Sequence, residues 1–202
     1  EKNDMIYLWY DAEDREPHWF VPDIQSGKGR FTHGKITHEI FCHIQEIPEN
    51  GPDMYHLNIV HRDMEKRSII RNIWGATWKK GESKEDSHQS YFNVQHIWTF
   101  LDLFNIPLSF VDVNGSQHGP GVVTFEFNIV LGNFAMVQTV TPVGPFHQVC
   151  EHVAYVPWYF PRGIAKLFII LMTSLLEQDI PIWNNKLYRD NPCLIKSDGP
   201  IM

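Results

Sequence analysis

Six strand-like segments, Ile73–Lys79, Tyr91–Phe100, Leu108–Val113, Val122–Val130, Phe134–Val140 and His147–Val156, follow one another, most separated by little more than turn signals. That succession constrains the fold more than any other feature. Short connections can join only antiparallel neighbours, because a parallel pair needs a crossover of a dozen or more residues. The turn signals are Gly81–Ser83, Asn114–Gly115 and Gly132–Asn133. Asn114-Gly115-Ser116 also spells a glycosylation acceptor, but Asn-Gly between two strands reads as a hairpin turn. Lys80–His88 reads as an exposed loop.

The flanks differ in character. Met5–Tyr10 reads as a strand, and Asp11–Gly34 as loop with a short strand near Trp19–Val21. Lys35–Gln45 alternates with period two, placing Ile36, His38, Ile40, Cys42 and Ile44 on one face. Pro48–His61 has apolar positions at helical spacing and a proline near its start. From Arg162 to Tyr188 the pattern is helical again, with Ile164, Leu167, Phe168, Leu171, Met172 and Leu175 on one stripe. These elements predict an α+β domain of six to eight strands, with one early helix and a long closing helix able to enclose an apolar cavity.

Composition narrows the function classes. The chain has 202 residues, 43% hydrophobic, enough for one domain with a real core. Seventeen Lys plus Arg against 24 Asp plus Glu leave a net charge of −7, and the pI is about 5.8. No nucleic acid partner is expected from such a surface. Three cysteines, Cys42, Cys150 and Cys193, fit a reducing compartment better than a disulfide framework. The longest apolar run, Leu167–Met172, is too short to span a bilayer. Gly27, Gly29 and Thr32 miss the dinucleotide fingerprint at its third glycine, and no phosphate loop is present. The start at Glu1, without Met, suggests an internal fragment.

Eleven histidines invite a metal reading, but pairs five apart arise about 0.6 times by chance in such a chain. In a strand that spacing separates the two rings onto opposite faces, so His38/His43 and His147/His152 read as ordinary sheet histidines. His56/His61 is different, because Glu49 and Asp53 precede it at helical offsets, a combination expected roughly 0.01 times per chain. On an ideal helix, five residues leave the rings about 140° apart, so convergence requires a local distortion of the backbone. Two imidazoles need a carboxylate to complete one face of an oxygen-activating iron site. Asp179 falls on the apolar stripe of the last helix; it either caps a fresh turn before Pro181 or meets a cation. Trp74, Trp78, Trp98, Trp158 and Trp183 could pack in the core or line a cavity, with core the commoner fate.

Glu49–His61 (ENGPDMYHLNIVH), preceded by Ile44–Pro48 (IQEIP), resembles the iron-binding helix of the Rieske non-haem iron oxygenases. Gln117–Val122 (QHGPGV) and Asp179–Lys186 (DIPIWNNK) extend the resemblance, and the fuller wording is similar to the Neverland-type cholesterol 7-desaturases. The resemblance covers essentially the whole chain. It implies a helix-grip antiparallel sheet whose long C-terminal helix encloses an apolar pocket. It also implies that His56, His61 and Asp179 ligate a mononuclear Fe(2+), that Asp53 passes electrons from a Rieske cluster on the neighbouring subunit of a homotrimer, and that Glu49 supports the ligands from behind. The implied reaction is dioxygen-dependent desaturation of cholesterol to 7-dehydrocholesterol. Electrons would come from NAD(P)H through a separate reductase, on a membrane-associated, cytosol-facing protein of the endoplasmic reticulum. A 3-ketosteroid hydroxylase shares the iron motif, and a non-catalytic helix-grip lipid-binding protein is the reading from another class.

One departure stands out. A Rieske centre needs Cys-x-His followed some 15 to 20 residues later by Cys-x-x-His. Here Cys150-Glu151-His152 is followed only by Cys193, with Lys196 three residues on. Residues 1–202 are therefore expected to be a catalytic domain fragment whose [2Fe-2S] domain lies N-terminal and outside this chain, and which alone does not turn over.

Overall fold

A computed structural model describes residues 1–25, 29–61, 70–100, 107–129 and 132–191. Among these residues seven strands form one sheet: β1 (Arg30–Ile40), β2 (Ile70–Lys80), β3 (Gln89–Phe100), β4 (Pro107–His118), β5 (Val122–Ile129), β6 (Gly132–Gly144) and β7 (His147–Pro157). Their order is β1-β7-β6-β5-β4-β3-β2. The meander expected from the short connections runs from β2 to β7, and β1 closes its far edge against β7. Among the described residues there are also three helices, α1 (Glu46–Glu49), α2 (Met54–Val60) and α3 (Arg162–Asn184). The α+β expectation holds, with α3 lying on one face of the sheet.

Strand alternation assigns the two faces. On β6, Phe134 and Met136 join Phe127 and Val156 under α3, against its Ala165, while Ala135 and Val137 join Val21, Ile24 and Tyr155 on the other side. Phe168 of α3 meets Phe134 and Phe127 edge-on at ring centroid distances of 3.9 and 4.9 Å. Such pairs add about 0.5–1.5 kcal/mol to the area they bury. Beyond them, Trp183 at the end of α3 is buried among Ile40, Cys42, Val140 and Cys150.

Several expectations are corrected. Met5–Tyr10 alternates half-buried and exposed residues as a strand would, but the only pairing there is an isolated bridge between Lys2 and Met5. The segment is extended chain laid on the back of the sheet, where Met5, Tyr7 and Trp19 pack; side-chain alternation alone does not require a ladder. Trp19–Val21 likewise forms no strand. The strand read over Lys35–Gln45 starts at Arg30 and stops at Ile40. Asn114–Gly115 is not a turn, because β4 runs through it to His118 and the hairpin comes at Gly119, with φ +58°. Gly115 instead makes room for the Phe92 ring, which a Cβ would meet at 2.0 Å. The final helix stops at Asn184 rather than Tyr188 and passes through Pro181. Residues 130–131 and Cys193 lie outside the described residues. Among the described residues, no helix is long and apolar enough to cross a membrane.

Candidate metal centre

The helix expected over Pro48–His61 is two helices with a break. Pro52 disfavours helical backbone at Gly51 and has no N–H to donate, so α1 ends at Glu49 and α2 begins at Met54. Asp53 restarts the helix as its N-cap, accepting from the backbone N–H of Tyr55 at 3.2 Å and of His56 at 3.3 Å. Helix α2 then ends at Val60, and His61 leaves it with φ −103° and ψ 17°. That departure lets the His56 and His61 rings meet, with centroids 5.3 Å apart.

Asp179 lies within α3, 6% exposed, and is not a cap. Ligating atoms of His56, His61 and Asp179 all lie within 4.8 Å of one another. His56 Nδ1 hydrogen-bonds the Asp53 carbonyl oxygen, and His61 Nδ1 donates to Gln178 Oε1 at 3.3 Å. Both acceptors are carbonyl oxygens, so each Nδ1 carries a proton and Nε2 is the nitrogen each ring can offer as a ligand. His61 Nε2 lies 3.3 Å from Asp179 Oδ2. An imidazole nitrogen facing a carboxylate at that distance is favourable only with a proton or a metal ion between them. Asn50 steadies the same oxygen, its Nδ2 donating to Asp179 Oδ2 at 3.0 Å. Two imidazoles and one carboxylate, each oriented by a further hydrogen bond, suit a mononuclear ferrous ion with open coordination positions.

Asp53 thus touches the cluster in two ways, through its carbonyl to the His56 ring and through its carboxylate to the start of α2. Glu49 is not brought to the cluster in the same way. Its carboxylate accepts from Gln45 Nε2 at 2.8 Å, and its carbonyl accepts from Asp53 N. Sequence reasoning missed Asn50, Gln178 and His96, and named Trp74 only as a core or cavity residue. The first two sit beside motif residues in sequence, which is the one signal that pointed to them. Trp74 Nε1 donates to the His61 carbonyl at 3.1 Å, and its ring stacks on His96 with centroids 3.7 Å apart. Burial, with a smaller contribution from His61, pushes the His96 imidazole down to about 4, so it is neutral near pH 7.

The cluster opens onto a cavity between α3 and the sheet, about 1060 Å³ of atom-free space with its mouth included. Leu57, Val94, Phe127, Met136, Met172 and Leu175 are among its apolar walls. Of Trp74, Trp78, Trp98, Trp158 and Trp183, the first and the last line it. Trp158 is 79% exposed, Trp78 lies by a separate depression on β2 to β4, and the Trp98 side chain is outside the described residues.

Residues 8–202 match the family described as 3-ketosteroid 9alpha-hydroxylase C-terminal domain. A cholesterol 7-desaturase of Caenorhabditis elegans is 35% identical over 221 residues, covering 100% of this chain and 50% of that protein. The oxygenase component of a 3-ketosteroid-9-alpha-monooxygenase of Rhodococcus rhodochrous is 23% identical, covering 100% of this chain and 55% of that protein. The chain therefore spans about half the length of the relatives it matches. A dicamba monooxygenase bound to dicamba shares the fold, with TM-score 0.60 at 12% identity over 94% of this chain and 60% of that one.

Proposed function

The chain belongs to the 3-ketosteroid 9alpha-hydroxylase C-terminal domain family, the catalytic domains of Rieske oxygenases, and from that premise we propose that it is the iron-bearing part of a cholesterol 7-desaturase. The observation that carries this reading is the convergence of His56, His61 and Asp179 at the wall of an apolar cavity. A ferrous ion held there supplies the means to activate dioxygen for oxidation of a C–H bond. His56 and His61 hold it through Nε2, with Asp53 and Gln178 fixing the rings, and Asp179 supplies the balancing charge. The apolar walls orient the sterol and exclude water from the reacting carbon.

In this reading Asp53 links the iron electronically to a Rieske cluster carried by a part of the protein outside this chain, on the neighbouring subunit of a trimer. A reductase supplies the electrons from NAD(P)H. Glu49 helps by holding the α1–α2 break in place. The sterol substrate favours an address at a membrane surface. The choice of 7-desaturation over 3-ketosteroid hydroxylation rests on the 35% relative against the 23% one.

The test is iron per chain in folded, anaerobically purified protein, compared with His56→Ala and Asp179→Ala of matched circular dichroism. About one iron in the parent, lost in both variants, is the expected result. A folded parent that takes up no iron after ferrous reconstitution overturns the oxygenase reading in favour of a lipid carrier.

A further inference from the structure

Away from the metal cluster, the cavity has a second polar zone that the reaction above does not use. Strand register aligns it as one row on the face beneath α3: Gln117 is opposite Val123, Val123 opposite Gln138, and Gln138 opposite His152. All four line the cavity. Gln138 is 8% exposed and His152 only 2%. The His152 ring faces that of His38 at 6.0 Å, and His38 Nε2 lies 3.2 Å from Glu177 on α3.

Hydrogen bonding within the row is incomplete. His152 Nε2 lies 3.0 Å from Gln138 Oε1, an acceptor, so Nε2 carries the proton and Nδ1 carries a lone pair. Nδ1 is fully buried and has no hydrogen-bond partner among the described residues. The Gln138 amide nitrogen retains donors of its own. Burial, assisted by His38, pushes the imidazole down to about 3, so it stays neutral and cannot relieve the deficit by taking a proton near pH 7. A buried acceptor left unpaired is costly, and the site is otherwise apolar.

We propose that Gln138 and His152 form the polar end of the substrate site and read a single hydroxyl on an otherwise apolar ligand, so that a hydroxysterol is accepted over the corresponding ketone. A hydroxyl does both things the pair requires, donating to Nδ1 and accepting from the Gln138 amide. A ketone can only accept, and leaves Nδ1 unpaired. Sites built to bond a hydroxyl reject analogues lacking it far more strongly than apolar pockets reject a change of shape. This inference rests on the sterol-oxidising reading and narrows it, because it separates the hydroxysterol from the ketosteroid substrate class.

The test uses the iron-loaded full-length protein, titrated with cholesterol and with its 3-ketone while tryptophan emission is followed. The parent is expected to prefer cholesterol by at least about tenfold. His152→Phe, which removes the Nδ1 acceptor, is expected to weaken cholesterol alone and bring the two ligands within about twofold, with iron content unchanged. Gln138→Leu removes the donor that a hydroxyl and a ketone both accept from, and is expected to weaken both. Should His152→Phe fold poorly, His152→Leu carries the comparison, and His152→Gln should restore part of the preference. A parent without preference, or His152 variants that weaken both ligands alike, overturns the hydroxyl anchor while leaving the sterol reading intact. A parent that binds neither ligand overturns both.

Discussion

At the metal end of the cavity, the imidazole nitrogens turned away from Asp179 are each tied to an oxygen, His56 to Asp53 and His61 to Gln178. At the Gln138–His152 end, one imidazole nitrogen has no partner among the described residues. Both ends use buried histidines on the same cavity, yet the protein supplies the outer hydrogen bonds only at the first. Rings that must present a lone pair in a fixed direction are preorganised by their neighbours. A ring whose outer partner is missing is completed by whatever enters the cavity.

Acid should separate the ends most. The His152 imidazole is pushed down to about 3 and His118, on β4, to about 4, both chiefly by burial. An unfolded histidine titrates near 6.5. Above that pH neither group alters stability; as the pH falls from about 6.5 toward 3 to 4, the unfolded chain binds protons that the folded chain refuses, and stability is lost. Urea unfolding at stepped pH should therefore show His152→Leu flattening the acid slope by up to about 1.4 kcal/mol per pH unit. An unchanged slope would mean that the ring titrates freely in the folded protein.

A smaller effect is expected from loosening the preorganised end. Asn50→Ala or Gln178→Ala should each weaken iron binding by about 10- to 100-fold, measured by competition with a chelator. Neither should alter the preference between cholesterol and its ketone. A shift in that preference without loss of iron would merge the two ends into one network.

The least effect falls on the helix start. Asp53→Ala removes the N-cap of a seven-residue helix and should cost about 1 kcal/mol in thermal or urea unfolding. Asp53→Asn keeps a capping oxygen and should leave stability and iron content close to the parent. If electrons pass through the carboxylate, this variant in the full-length enzyme loses turnover while keeping iron. Full turnover in Asp53→Asn would reduce the residue to a structural cap.

Much of this was legible along the chain. The meander could be read because hairpin-length connections leave antiparallel pairing as the only economical answer, and strands β2 to β7 each begin within three residues of the segments read for them. The ligand candidates were legible because four residues at fixed offsets rarely arise together. Local patterns failed where a neighbour distant in sequence made the decision. Asn114–Gly115 has the spelling of a turn, but the Phe92 ring across the strand pair needs the space. Met5–Tyr10 alternates as a strand does, but it packs on the back of the sheet without joining its ladder.

The sequence by itself determined the fold class, the order of its strands along the chain, and which side chains could serve as ligands, since periodicity and spacing are local properties. Only the tertiary structure decided that His61 steps out of its helix, that Asp179 faces it from 118 residues away, and that Gln138 and His152 share one row. Those facts depend on how α3 lies across the sheet, and burial beneath it sets both which nitrogens find partners and which protonation states survive.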